Sequence, residues 1–148
     1  MELVYIGRVH SPVTEAVDTD WGNVVSEIVL EPEYAPGLLG LGEFSHALIL
    51  THLHLAEWSP GKHLRRRPQD RPDMLLTGIF AQRARHRPNR IGVTAVEIIE
   101  VTGDALKVRG LDAVDVTPVL DVKPYVPSYD RRDATIPQWM TDMMKGYF

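Results

Sequence analysis

Two β-type runs joined by a turn constrain the fold of this chain most. Ile91 to Val101 and Ala105 to Arg109 flank Thr102-Gly103-Asp104, and a glycine between two β-prone runs favours the tight reversal of an antiparallel hairpin. The rest of the chain supplies more segments of the same kind. Leu3 to His10 is a short β run closed by Ser11-Pro12, and Val24 to Leu30 is another, ended by Glu31-Pro32 and a Pro36-Gly37 turn. His46 to Ala56 opens apolar and then alternates. As a strand it would put Thr51, Leu53 and Leu55 on one face and His52 and His54 on the other. Val114 to Val122 is β-rich, interrupted by Pro118, and runs into an extended Lys123-Pro-Tyr-Val-Pro. Only the tail, Ile136 to Phe148, repeats apolar residues at helical spacing, with Trp139, Met140, Met143, Met144 and Tyr147 behind Pro137. About six or seven short strands with little helix predict a mostly β fold, a barrel or an α+β domain.

The 148 residues suit one domain with a real core, and 44% apolar and 24% charged residues are those of a folded chain. No apolar run approaches the roughly 18 residues that span a bilayer, and the start lacks a charged-then-apolar secretory pattern, so no membrane partner is expected. Zero cysteines exclude disulfides, thiolate nucleophiles and cysteine-ligated zinc. They fit a reducing compartment, and the expected location is cytoplasmic. The net charge of −4 hides an asymmetry: Lys62 to Arg90 carries nine Lys or Arg against two Asp, and the remainder is strongly acidic. A concentrated basic segment is what phosphate contact requires, although a solvated loop shows the same run.

Within that segment, Phe80 to Gly92 crowds Arg83, Arg85, Arg87 and Arg90 around a rigid Pro88-Asn89. Arginine forks suit carboxylates and phosphates, and Pro88 limits the backbone that presents them. Ser59 to Asp73 reads as a long polar loop. His46, His52, His54 and His63 lie close in sequence, but no His-Glu-x-x-His pattern accompanies them and no carboxylate except Glu57 has a companion spacing, so no metal is expected. Walker, Gly-x-Ser-x-Gly and Gly-x-Gly-x-x-Gly patterns are also missing. Asp112, Asp115 and Asp121 fall in a β-prone stretch where acidic residues need partners, for which Lys123, Arg109 and the arginine loop are candidates.

These residues resemble the TrmO family, also called TsaA or YaeB, of S-adenosylmethionine-dependent tRNA methyltransferases. The matching blocks are Ile6-Gly-x-Val-x-Ser-Pro12, Gly40-Leu-x-x-Phe-Ser-His46, Gly78-x-Phe-Ala-x-Arg83, Arg87-Pro-Asn-x-Ile-Gly92 and Asp115-x-Thr-Pro-Val-Leu-Asp-Val-Lys-Pro-Tyr125. They run in family order and cover most of the chain up to about Asp130. The resemblance implies a small closed or partly open β-barrel methyltransferase fold with a few short helices. It assigns 1–130 to an S-adenosylmethionine-binding barrel and leaves 131–148 as a tail, expected to be a short amphipathic helix against the barrel or a dimer interface. It also implies a homodimer, a tRNA partner and methylation of N6 of the threonylcarbamoyl-modified adenosine beside the anticodon.

By position, the resemblance puts cofactor contacts on His54, Leu55, Arg83, Val93, Asp115, Val116, Thr117 and Pro118. Arg85, Arg87, Arg90 and Lys123 are left for substrate. The adenine amine is a weak nucleophile that an acceptor for its hydrogen would assist, and Asn89, Asp121 and Tyr125 are the candidates. Three departures from the family pattern stand out. Val116 occupies a glycine position, Ala84-Arg85 replaces a Ser-Pro after Arg83, and Asp18-Thr-Asp-Trp-Gly-Asn23 replaces a Pro-Arg-Gln. The resemblance is to a short form, expected to be without the C-terminal domain of longer members. Two other classes therefore stay open: a methyltransferase of this fold with a different or smaller acceptor, and a non-catalytic cofactor- or RNA-binding module.

Overall fold

The computed structural model describes residues 2–18 and 20–148. Eight strands form in chain order: β1 (Gly7–His10), β2 (Val25–Leu30), β3 (His46–His52), β4 (Arg65–Arg66), β5 (Thr77–Gly78), β6 (Ile91–Thr102), β7 (Ala105–Arg109) and β8 (Pro118–Pro124). Three short helices accompany them: α1 (Pro60–His63), α2 (Pro127–Asp130) and α3 (Gln138–Met143). Six strands close a barrel in the order β1-β2-β7-β6-β3-β8. Every pairing in it is antiparallel.

The alternation in the sequence becomes the two faces of this barrel. Val9, Ile28, Ile49, Val96, Leu106, Val108 and Val119 are inward and essentially fully buried, and together with Leu111 they form the core. The expected hairpin is β6–β7, with Thr102 paired to Ala105 across the turn. β6 is long enough to pair with β7 at one end and β3 at the other. Register shifts at Ile98/Glu100 and at Leu50/Thr51 supply the local bends that a small closed barrel needs.

Because the strands alternate in direction, the loops sort to two mouths. One mouth collects the loops 11–24, 53–90 and 110–117; the other collects 31–45 and the turn at Gly103-Asp104. Several expected bounds change. The first strand begins at Gly7 rather than Leu3. β3 stops at His52, because the chain reverses in a turn closed by Ala56 N–H donating to Leu53 C=O (2.9 Å). His54 therefore lies in a turn and does not share a strand face with His52, which instead hydrogen-bonds the Tyr5 hydroxyl at 2.7 Å. The stretch read as loop from Ser59 to Asp73 contains α1, β4 and a 3₁₀ turn at Pro68–Asp70. The tail helix spans only Gln138–Met143 and has no fully buried residue.

Val116 has φ +60°, so the position at which the resemblance implies glycine has a left-handed backbone with a β-branched, half-exposed side chain on it. That conformation costs an L-residue about 1–2 kcal/mol, partly offset by the roughly 0.5–1 kcal/mol entropic penalty of glycine. Val116→Gly is therefore expected to raise the melting temperature by about 2–4 °C. A lowered melting temperature in a calorimetric scan would contradict the strain.

Candidate functional site at one barrel mouth

The mouth that carries the long loops is lined with small hydroxyls. Ser26 on β2, Thr51 on β3, Thr94 on β6 and Thr117 just before β8 are all buried. Among the described residues, Ser26 Oγ is the one buried side-chain polar atom without a hydrogen-bond partner. Thr94 Oγ1 donates to Asp112 Oδ1, and the other carboxylate oxygen of Asp112 accepts the Tyr147 hydroxyl at 2.7 Å. Burial, then Asp112 and Asp18, push the Tyr147 phenol well above the ordinary tyrosine range, against a smaller opposing pull from Arg83. The phenol is therefore a protonated donor at any ordinary pH. Among the described residues Asp112 finds two neutral donors here and pairs with none of the cations expected for it.

Tyr147 reaches this position because the tail crosses the mouth. Asp20 N–H donates to Gly146 C=O (2.9 Å) and Trp21 N–H to Tyr147 C=O (2.8 Å). Trp21 is 2% exposed and its indole N–H bonds Val17 C=O at 3.0 Å, which anchors the loop beneath the tail. Gly22 packs so closely that a Cβ there would stand 2.5 Å from the Phe148 carbonyl carbon. Asp20, Trp21 and Gly22 are thus the tail's docking site, in the stretch where the resemblance implies a Pro-Arg-Gln.

The arginine segment divides by role. Arg87 Nη1 donates inward to the carbonyls of Gln82 (2.6 Å), Ile79 (3.2 Å) and Ala84 (3.4 Å), so it holds its own loop together. Arg90, at φ +51°, donates to Ala56 C=O (3.2 Å) and ties the loop to the end of β3. Arg83 is exposed and donates through Nη2 to Val93 C=O (3.0 Å). Arg85 is exposed and meets only the His86 ring at 3.3 Å. Asn89 stands exposed between them. Arg66 pairs with Asp70 and Arg71 with Asp73, which occupies both carboxylates of the basic segment. Among the described residues, none of Arg83, Arg85, Arg87 and Arg90 is ion-paired.

Behind this loop the His86 ring stacks on His63 at 4.7 Å, and Trp58 packs against His63 in a tilted arrangement at 6.0 Å. His63 is 3% exposed, and its Nδ1 accepts the Ser59 N–H at 3.0 Å, a bond that requires an unprotonated Nδ1. Burial first, then His86, Lys62 and Arg66, lower its pKa. The unfolded chain then takes up a proton near the ordinary value of 6.5 while the folded chain does not. Stability contributed by His63 is complete above that pH and falls as the pH drops below it. The melting temperature is expected to decline on acidification through 6.5 and to decline less in His63→Gln; equal slopes would contradict this.

The Asp115–Pro118 turn is held from both sides. Asp115 Oδ1 accepts the Ser11 N–H (3.1 Å), while Asp115 N–H donates to Val13 C=O (2.7 Å). Thr117 is buried, its hydroxyl donating to Val114 C=O (2.7 Å) and its carbonyl accepting Val9 N–H (2.9 Å). Of this turn only Val116 offers a well-exposed side chain. His54 and Leu55, in the turn after β3, and Val93 near the start of β6 complete the same mouth. Thus the structure gathers the eight positions with cofactor expectations at one end of the barrel.

Asp121, Lys123 and Tyr125 lie elsewhere. β8 runs away from this mouth, which puts Asp121 roughly 10 Å and Tyr125 over roughly 20 Å along the strand from Pro118. Asp121 pairs with Lys123 (2.9 Å) and borders a groove of ≈ 510 Å³ with Leu38, Leu39, Phe44 and Pro124. Tyr125 sits beside His46, ring centroids 6.3 Å apart. Neither Thr94 nor Tyr147 carries a local sequence signal for the site. In the sequence Asp112 stands out only as an acidic residue in need of partners, and Tyr147 only as part of a helical stripe. Among the described residues no His, Asp and Glu group is placed to hold a metal, and no helix is long and apolar enough to cross a membrane.

The molecule is thus a small closed antiparallel β-barrel, with a basic loop and buried hydroxyls gathered at one mouth. Residues 10–131 match the tRNA-methyltransferase O N-terminal domain, and the chain belongs to that family. It is 36% identical over 140 residues to a probable S-adenosyl-L-methionine-binding protein of Pyrococcus abyssi, covering 91% of this chain and 73% of the relative. It is 38% identical to an S-adenosyl-L-methionine-binding protein of Archaeoglobus fulgidus, covering 88% of this chain and 93% of that one. A tRNA (adenine(37)-N6)-methyltransferase of Mus musculus is 42% identical over 102 residues, but those cover 67% of this chain and only 22% of the mouse protein. A crystal structure of TrmO from Pseudomonas aeruginosa superposes with a TM-score of 0.73 at 30% identity, over 91% of this chain and 60% of that one.

Proposed function

We propose that this chain binds S-adenosylmethionine at the loop-rich mouth and directs its methyl group to N6 of an adenosine in tRNA. The observation that carries the reading is the convergence of three loops and the start of β6 on that mouth, in a chain whose similarly sized relatives are named for binding this cofactor. The residues suit the group. Arg83 uses one guanidinium N–H on Val93 C=O and has no carboxylate partner, leaving donors for the cofactor's own carboxylate. The Gly92 position has no space for a Cβ, which would stand 2.8 Å from Thr51 Oγ1, so β6 lies close against β3 at the mouth. The cofactor supplies a methyl group already activated by a sulfonium. The protein's part is to hold an amine in line with it and to accept the amine's hydrogen.

Of the three candidates Asn89, Asp121 and Tyr125, Asn89, exposed on the Arg87–Arg90 turn, is the one at this chain's own loop-rich mouth. Roles for Asp121, Lys123 and Tyr125 require a second copy, since they stand away from that mouth on the same chain. The proposal therefore includes a homodimer. A chain monomeric by sedimentation under turnover conditions would remove those three and leave Asn89. Exposed Arg85 is the leading phosphate contact, because Arg87 and Arg90 are engaged with backbone carbonyls. Incubating the chain with methyl-labelled S-adenosylmethionine and tRNA, with and without the threonylcarbamoyl group, tests the acceptor. Label in the N6-methylated nucleoside of the modified tRNA is the expected result. Cofactor binding without any label in tRNA would overturn the acceptor and favour the smaller-substrate reading.

A further inference from the structure

The tail that docks on Asp20, Trp21 and Gly22 also reaches Asp112. The Asp112 carboxylate is held by two neutral hydroxyls, Thr94 on one oxygen and Tyr147 on the other. A carboxylate on hydroxyl donors is the arrangement with which proteins read the hydroxyls of a ribose. One of those donors comes from a segment that is weakly held. Gly146 and Tyr147 are fastened by two backbone hydrogen bonds to Asp20 and Trp21, α3 before them has no fully buried residue, and Phe148 is 62% exposed. Segments with so few buried contacts open at the low end of a protein's free-energy range. Arg83, the residue assigned to the cofactor's carboxylate, bonds Val93 C=O, and the adjacent Thr94 meets Tyr147 through Asp112, so the tail shares the mouth with the proposed ligand.

We propose that Gly146–Phe148 is a displaceable strap, in which the Tyr147 hydroxyl occupies the Asp112 oxygen that a nucleoside ribose hydroxyl takes on binding. The proposal rests on the cofactor reading above and adds a new part to it: Asp112 as the ribose-reading residue and Tyr147 as its placeholder. Displacement exchanges one hydroxyl donor for another, so the carboxylate is never left bare at the mouth. The strap shields the site when it is empty and opens when a nucleoside arrives.

The test uses the whole chain, calorimetric titration with S-adenosylhomocysteine, and hydrogen exchange with and without that ligand. Tyr147→Phe deletes one oxygen and is expected to bind about 3–10-fold more tightly. Gly22→Ala, which crowds Phe148 out of its seat without touching Asp112, should shift affinity the same way. Ligand should also speed exchange at the Asp20 and Trp21 amides, which donate to the tail. With adenosine as probe the gain in Tyr147→Phe should persist, and with 2′,3′-dideoxyadenosine it should vanish. Weaker binding by Tyr147→Phe, or slower exchange at Asp20 and Trp21 on ligand addition, would make the tail a fixed wall and overturn the strap. If neither the parent chain nor Tyr147→Phe binds S-adenosylhomocysteine, while both melt as folded proteins, the cofactor reading itself falls and the strap falls with it.

Discussion

Gly7→Ala is expected to abolish the folded barrel at 37 °C. A Cβ at Gly7 would stand 2.3 Å from the Val29 carbonyl oxygen and 2.9 Å from Leu30 Cα, both backbone atoms of the paired strand β2. Backbone cannot give way as a side-chain tip can, so β1 must lift. β1 has four residues and closes the barrel to β8 through only two register pairs, Gly7↔Val119 and Arg8↔Pro118. Lifting it opens the seam over Val9, Ile28 and Val119, all at 0% exposure. Overpacking plus an opened core costs upwards of about 4 kcal/mol, a large share of the roughly 5–15 kcal/mol that holds a domain folded. Gly37→Ala, where an added Cβ meets nothing within 4 Å, is the control and should melt like the parent. A Gly7→Ala protein with an unchanged circular dichroism melt would refute the account of barrel closure.

Arg87→Ala is the second large effect, and it is local. The half-buried guanidinium gathers three carbonyls of its own loop, from Ile79, Gln82 and Ala84. Charge-assisted hydrogen bonds contribute about 1.5–3 kcal/mol, and their removal strands the carbonyls, Ile79 being fully buried. The loop from Gln82 to Arg90 is expected to lose its fixed shape, with a cost of about 2–3 kcal/mol and a several-fold rise in proteolysis between those residues. Cofactor affinity should fall with it, because Arg83 is presented by this loop. Arg85→Ala should change neither proteolysis nor cofactor affinity. Arg85→Ala and Arg87→Ala behaving alike would contradict the division of the arginines into scaffold and contact residues.

What the sequence reveals, and what it hides, follows the range of the interactions. The β6–β7 hairpin depends on a glycine turn between adjacent runs and is legible in local order. The alternation that buries Val9, Ile28, Ile49 and Val119 is legible for the same reason. Even the strained backbone at Val116 can be anticipated, because a β-branched residue stands where the resemblance implies glycine. The partners of Asp112 cannot, since they come from Thr94 and from Tyr147, which lies 35 positions on. A stripe of Trp139, Met140, Met143, Met144 and Tyr147 looks like one helix face. In the fold the helix stops at Met143, and Tyr147 crosses the mouth to a carboxylate instead. Likewise four arginines in eight residues look equivalent on paper. Only the path of the loop turns Arg87 inward and leaves Arg83 and Arg85 outside.

The central claim is that the loop-rich mouth, and not the opposite end of β8, holds the cofactor. It is tested most directly by calorimetric titration of S-adenosylhomocysteine into the parent chain, Arg83→Ala and Lys123→Ala. The expected result is saturable binding at one site per chain, weakened about 10–100-fold in Arg83→Ala through the loss of one charge-assisted contact and unchanged in Lys123→Ala. Binding that survives Arg83→Ala intact and disappears in Lys123→Ala would put the site at the other end of the barrel and contradict the account.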